Sequence, residues 1–262
     1  AVARVIPMPV RKAAAPFPRQ SLEDLLLYGS LPGVLSESRE GRKRTLEAYS
    51  ELYVEEEIRR EGLVRDVGAF SRFLELAAIE SGRTMNLVGV SKESGVPITT
   101  LRLYYQVLVD TFVGYWLTPY AGRDRRRLLK TPRFYFFDLG GRNAAARLPF
   151  SADLLKLQGG PLLEQWVGLE LYHRCRLLGR GYRLGFWRTV GGAEVDFVIE
   201  TPRETIPVEV KWTDRPAPSD VRHLDHFIQL HPARTRRAFL VCRVGESRQL
   251  TKRITAIPWS DL

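Results

Sequence analysis

Residues 194–212, EVDFVIETPRETIPVEVKW, most constrain what this chain can fold into. Val195, Phe197, Val198 and Ile199, then Ile206, Val208 and Val210, flank a polar turn, which predicts two buried strands joined as a hairpin. Yet Asp196 interrupts the first run, and Glu209 and Lys211 interrupt the second. A charge in a buried strand is costly unless it is paired, solvated or bound to a metal. Glu209 and Lys211 are two apart on a strand and so share a face. Pairing across the turn can bring Asp196 near Glu209, and Glu164, on a helix upstream, could close the group. Two carboxylates can hold a divalent ion, with water or phosphate completing its shell. Such an ion would stabilise charge on a phosphodiester and activate a water. Lys211 would then steady the anionic transition state or orient the attacking water. The alternative is a scaffold hairpin in which Asp196 forms a salt bridge with Arg188.

The chain before the hairpin divides by pattern. Residues 1–20, rich in Pro, Ala and Arg, read as a linker or a detached edge. Residues 21–66 read as a helical segment that opens at the N-cap Ser21, with Glu23 and Asp24 in the first turn and a stop near Gly29. A long helix follows, with Leu46, Tyr49, Tyr53, Val54 and Ile58 at helical spacing. The consecutive acids Glu55 to Glu57 point in different directions on such a helix and read as a solvated face.

Residues 67–148 read as a winged helix-turn-helix domain. An amphipathic helix buries Phe70, Phe73, Leu74 and Ala77. A short helix to Ser94 and a left-handed turn at Gly95 lead to a second helix after Pro97. That helix buries Leu101, Tyr104 or Tyr105, and Leu108, and shows Thr99, Arg102 and Gln106 on another side. Two strands bridged by AGRDRRRLLKTP would form the wing, with Arg123, Arg125, Arg126, Arg127, Lys130 and Arg133 at its tip to grip phosphates. A plain helical hairpin and a solvated loop are the alternatives. Residues 149–262 read as a small α/β domain: a helix from about Pro161, strands, a helix over 218–232, an apolar strand and an edge strand in the tail.

Composition sets limits on partners. A net charge of +10 and a pI near 9.8 favour an anionic partner, nucleic acid before a membrane surface, because no basic amphipathic helix is evident. Cys175 and Cys242 are far apart and form no Cys-x-x-Cys pair, which fits a reducing cytoplasm. His223, His226 and His231 form a loose cluster without zinc-type partners at the right spacing. The first residues carry prolines and bases where a signal peptide needs an apolar core, and no apolar stretch is long enough to span a bilayer. The first residue is Ala and not Met, as in a fragment or a processed chain. There is no Gly-x-x-x-x-Gly-Lys-Ser/Thr loop, and GRKRT at residue 41 lacks that loop's spacing, so no ATP site is expected.

LLEQWVGLEL, GFWRTVGGAEVDFVIE and IPVEVKW resemble the signatures of the PD-(D/E)XK nuclease superfamily. By that resemblance Glu164, Asp196, Glu209 and Lys211 take the four core positions, and Val195 stands where the superfamily usually has Pro. More widely, YGSLPGVL, YVEEEI, LVRDVGAFSRFLELAA and YFFDLGGRNA, together with the three stretches above, are similar to prokaryotic AAA-type ATP-binding proteins with a C-terminal domain of unknown function. The resemblance implies an ATPase domain preceding this region. The expectation is an α+β or α/β chain: an N-terminal helical segment, a winged-helix domain, then a PD-(D/E)XK-like mixed β-sheet flanked by helices. Its expected activity is a cytoplasmic, DNA-binding nuclease in which Glu164, Asp196 and Glu209 hold Mg²⁺ or Mn²⁺ and Lys211 assists hydrolysis. The rival is a non-catalytic module that binds nucleic acid or a partner protein for the ATPase.

Overall fold

A computed structural model of the 262-residue chain describes residues 5, 6, 20–53, 58, 62, 64–120 and 131–262. Two compact units emerge from the described chain. Residues 20–116 and 132–162 form a mainly helical unit; Val5, Ile6, 117–120, 131 and 163–262 form a unit built on a sheet. Val5 and Ile6 are buried, so these two positions of the expected linker are core residues. The fold is mixed α+β with an open mixed sheet, as the sequence pattern predicts at that level.

The helical unit begins with α1 (Leu22–Tyr28), α2 (Pro32–Leu35) and α3 (Arg39–Leu52). It continues with α4 (Val67–Ile79), α5 (Leu87–Ser94) and α6 (Ile98–Asp110), and then with the two-stranded pair β1 (Gly114–Leu117) and β2 (Arg133–Phe136). Local chemistry sets these boundaries. Ser21, Ser38, Asp66 and Asn86 each accept a backbone N–H of the first turn they precede, at 2.8–3.2 Å. Gly29 (φ 71°) and Gly95 (φ 72°) end α1 and α5 in the left-handed region. Phe70, Phe73, Leu74, Ala77, Leu101, Tyr104, Tyr105 and Leu108 are all buried in one cluster, where Phe73 meets Tyr105 edge-on at 4.8 Å. The acids Glu55 to Glu57 and the basic residues Arg123, Arg125, Arg126, Arg127 and Lys130 lie outside the described residues.

The strand expected over RFYFFDLG stops at Phe136, and DLGGRNAA, whose first three residues fall within that expected strand, forms a helix, α7 (Leu139–Ala145). Its apolar content is low because its polar groups are the ones that face the core. Asp138 caps it through Gly141 N at 3.0 Å and also accepts Ser30 N at 2.7 Å. The fully buried Asn143 amide donates to the Leu26 and Leu27 carbonyls at 3.0 and 2.9 Å, near the carboxyl end of α1. Arg142 does the same for α4, reaching Ala78 O at 2.8 Å and Ile79 O at 3.3 Å. Terminal helix carbonyls have no intrahelical partner, so burying them requires such donors. At Gly140 an added Cβ would collide with the Tyr28 backbone carbonyl, so glycine alone permits this approach.

The helix α8 (Ala152–Leu178), of which residues 163 onward belong to the sheet unit, starts nine residues earlier than the helix expected from Pro161. It leaves helical geometry at Gln158 (φ −126°, ψ 15°), and Pro161 falls in the first turn of the segment that follows. The sheet contains β3 (Arg183–Arg188), β4 (Glu194–Glu200), β5 (Thr205–Val210), β6 (Ala238–Cys242), β7 (Arg248–Gln249) and β8 (Ile254–Pro258), in the order β3-β4-β5-β6-β8-β7. β4 is antiparallel to β3 and β5, whereas β5, β6 and β8 run parallel. The tail strand β8 is therefore interior, not an edge; the two-residue β7 covers it. The parallel step from β5 to β6 is spanned by α9 (Arg222–Leu230), which buries Leu224, Phe227 and Ile228 beside Val198, Leu240 and Ala256. The stretch after β1 does not simply continue a wing hairpin: Tyr120 N donates to Phe186 O at 2.6 Å, and Phe186 N donates to Thr118 O at 3.3 Å, along the free edge of β3.

The α7 contacts give a stability prediction. Asn143→Ala strips the buried carbonyls of Leu26 and Leu27 of their donors and should cost about 2–4 kcal/mol in denaturant unfolding. Gly140→Ala should cost at least as much, because the obstruction is backbone. Leu103→Ala, at an exposed position, should change stability by less than about 0.5 kcal/mol.

Candidate functional site

The hairpin of β4 and β5 gathers three of the four expected side chains at one place. Phe197 pairs with Val208, and continuing that register sets Asp196 opposite Glu209. Glu209 pairs with Leu240 of β6, whose side chain packs in the cluster that includes Leu224 and Phe227; alternation therefore places Glu209 and Lys211 on the α9 face. Lys211 Nζ donates to Glu209 Oε1 at 2.7 Å, and Asp196 Oδ2 accepts Val210 N at 2.8 Å. Glu209 is 4 % exposed, and its second oxygen, Oε2, is buried without a hydrogen-bond partner. Arg188 pairs with Glu194 at 3.4 Å.

Electrostatics follow from this placement. Burial pushes the Glu209 carboxyl up to about 8, and the charge of Asp196 adds to the rise; Lys211 opposes it and Glu164 adds a smaller push. Burial pulls Lys211 down, but Glu209, Asp196 and Glu164 outweigh it, so the ammonium stays charged. Glu164, half-buried on α8, is thus within electrostatic reach of both. Among the described residues no group of three or more His, Cys, Asp or Glu side chains is arranged to hold a metal ion. A divalent cation at the spare oxygen of Glu209 would offset the repulsion between Asp196 and Glu209.

The other expected residues lie elsewhere. Thr99, Arg102 and Gln106 are exposed on α6, in the helical unit, and Gln106 donates to Asp110 at 2.8 Å. Arg133 is buried in β2 and so is not at a loop tip. A cleft of about 1040 Å³ in the helical unit is lined by Glu47, Glu51, Glu75 and Arg147, among others, with no strand-borne carboxylate pair. Arg147 is tied to Glu75 at 3.3 Å.

The histidines disperse. His231 packs on Phe227 at 4.5 Å, His226 lies 5.8 Å from Trp187, and His223 sits in the first turn of α9. Burial lowers the His223 pKa; Arg222 and Lys211 lower it further, against Asp196. His223 therefore belongs to the surroundings of the site, which its sequence neighbours alone do not reveal. Both cysteines are free and buried, with Cys175 raised to about 11 by burial, so neither offers a reactive thiolate.

Residues 19–152 match the profile of a domain of unknown function, DUF8612. The chain belongs to the DUF8612 family. Behind its DUF8612 segment, residues 159–262 match a second domain of unknown function, DUF4143, and this match contains Glu164, Asp196, Glu209 and Lys211. Uncharacterized proteins of Mycobacterium bovis and Mycobacterium tuberculosis are each 27 % identical over 195 residues, which cover 74 % of this chain and 43 % of theirs. The DUF8612 chain thus spans less than half the length of these relatives. Among its described residues no helix is long and apolar enough to cross a membrane.

The raised carboxyl yields a pH prediction with a definite sign. Between the ordinary value of 4.5 and about 8, folded Glu209 holds a proton that the unfolded chain has released. Its contribution to stability is greatest at the acid end of that window and declines as pH rises to about 8. In chelator, the parent's Tm should fall relative to that of Glu209→Gln across the window, and the variant should match or exceed it near pH 8. Parallel Tm curves would show that the carboxyl is not raised.

Proposed function

We propose that the sheet unit is a metal-dependent phosphodiesterase that cuts nucleic acid, with a PD-(D/E)XK-like arrangement of Glu164, Asp196, Glu209 and Lys211. The observation that carries this reading is Glu209: a buried carboxylate opposite Asp196, with one oxygen on Lys211 and the other unpartnered. A site built for stability alone would replace such a group by an apolar side chain. Asp196 and Glu209 would hold Mg²⁺ or Mn²⁺, with Glu164 closing the site. When bound, the cation would supply Lewis acidity toward a phosphoryl oxygen and a lowered pKa for a bound water. With the cation bound, Glu209 would be ionised, its proton released to solvent. Lys211 keeps a cation beside the phosphate and steadies the charge that develops on it.

In the helical unit, α4, α5, α6, β1 and β2 follow the order of a winged helix-turn-helix, and Thr99, Arg102 and Gln106 are accessible for contact with DNA. An AAA-type ATPase domain preceding this region, and a cytoplasmic setting, complete the proposal; the greater length of the mycobacterial relatives leaves room for such a domain.

One observation favours a second reading for α6, contact with a partner protein. Across residues 67–120, Arg72, Arg83, Lys92 and Arg102 are balanced by Glu75, Glu80, Glu93 and Asp110. Leu103 is 66 % exposed on the same helix, beside Arg102. A neutral surface with an exposed leucine is poor at drawing phosphates and good at packing against protein.

Metal binding and cleavage separate the catalytic reading from a scaffold. Mg²⁺ or Mn²⁺ should raise the parent's Tm, because the ion binds the folded chain alone. Asp196→Asn should be at least as stable as the parent in chelator and should lose the metal shift. Lys211→Ala should keep the shift and lose cleavage of a DNA substrate. An equal shift in parent and Asp196→Asn would place the ion elsewhere and favour the non-catalytic module.

A further inference from the structure

The end of β5 departs from regular pairing just where the site ends. Val210 pairs with Val241, and Lys211 N donates to Val241 O at 3.0 Å. Continuing this parallel ladder would send Arg243 N to the Lys211 carbonyl. It donates instead to Thr213 O, at 2.8 Å. Residues 211–213 therefore bow out of the ladder, as at a bulge, and a bulge re-aims the side chain at its crest. That side chain is Trp212. Arg243, the residue just past β6, lays its guanidinium over the indole, 4.3 Å from the ring centroid. Trp212 is half-buried and Arg243 is exposed, and no carboxylate is paired with Arg243 among the described residues. Both residues stand at the carboxyl ends of parallel strands, the rim where ligands of open α/β sheets bind.

A guanidinium held flat on an aromatic ring has lost much of its rotamer freedom before a ligand arrives, and its N–H fork remains free at the outer edge. An unpaired, exposed fork of this kind suits a phosphate, which accepts two parallel N–H bonds. Lys211, adjacent to Trp212 and bonded to Glu209, supplies a second cation at these strand ends, on the α9 side, whereas Arg243 follows Cys242 of that side and so leaves its strand toward the other. We propose that Arg243, organised by Trp212, binds a backbone phosphate of a nucleic acid strand that crosses this rim, flanking the phosphodiester presented to Lys211. This assigns a substrate-positioning role within the proposed phosphodiesterase reading and rests on it. Trp212 acts through Arg243: it fixes the guanidinium and needs no contact with the substrate.

The experiment is binding of a fluorescein-labelled single-stranded DNA oligonucleotide by the full chain, titrated in chelator over a range of salt, so that no cleavage occurs. Arg243→Ala should weaken binding several-fold and flatten the slope of log K against log salt by about 0.7, the loss of one phosphate contact. Arg243→Lys should retain the slope and lose part of the affinity. Trp212→Ala should weaken binding in the parent but add little in an Arg243→Ala background, the mark of one acting through the other. An unchanged affinity in Arg243→Ala overturns the proposal, and so does weaker binding with an unchanged salt slope in a variant whose Tm matches the parent's. Cleavage in Mn²⁺ is scored separately. Arg243-dependent binding without cleavage sinks the catalytic reading and leaves the phosphate site; cleavage with parental KM in Arg243→Ala does the reverse.

Discussion

The helical unit depends on disposing of helix-end carbonyls that packing takes out of water. Each helix leaves its last carbonyls without internal partners, and α1 and α4 present theirs to buried surroundings. Three consecutive tasks fall to one short helix: Asp138 caps α7 and ties Ser30, Arg142 serves the end of α4, and Asn143 serves the end of α1. Burial lowers the Arg142 pKa to about 10, which still leaves a cation at neutral pH, suited to several carbonyls at once. Gly29 and Gly140 let the chains come close enough for these bonds: a Cβ at the first would meet the Asp138 carboxylate, and at the second the Tyr28 carbonyl. YGSLPG and DLGGRNA, far apart in sequence, are two halves of one contact.

The hairpin of the sheet unit leaves a buried carboxyl only half satisfied. Asp138 and Asn143 find partners for what they bury, whereas Glu209 keeps one oxygen unsatisfied within a strand whose neighbours are all apolar or paired. Its carboxyl responds by holding a proton, since a neutral group is cheaper to bury than an anion beside Asp196. Thr235 Oγ1, also buried in the sheet unit, lacks a hydrogen-bond partner too, but as a neutral hydroxyl it carries no charge to desolvate. An open carboxyl oxygen beside a second acid separates the hairpin from an ordinary buried ion pair.

How much of this was legible in the sequence depended on the range of the interaction. Ser21, Asp66, Asn86, Gly95 and the Phe70–Phe73–Leu101–Leu108 spacing announce their helices because capping and amphipathic burial act over three or four residues. The alternation around Asp196 and Glu209 likewise displays the shared face and the hairpin. What escaped is long-range. DLGGRNAA does not look like a helix because its core-facing side chains are Arg and Asn, justified only by carbonyls in α1 and α4. The tail strand looked peripheral because the two-residue β7 that covers it is too short to signal itself. The stretch 118–120 read as part of a wing, although its hydrogen bonds run to β3, sixty-odd residues on.

The same rule explains which site residues a linear reading can find. Glu209 and Lys211 are two apart, and Asp196 meets them through a hairpin whose register the apolar alternation nearly fixes. His223 and Arg243 reach the site's rim only through the crossover by α9 and the parallel register of β5 with β6, neither of which is written locally. Parallel neighbours are joined by long connections, so their register is set by packing across the whole unit. The departure from the ladder at residues 211–213, where Trp212 lies under Arg243, is likewise encoded by no propensity. In such a sheet the strand-borne acids can be recognised from sequence, while the residues that arrange a substrate around them become visible only when the strands are laid side by side.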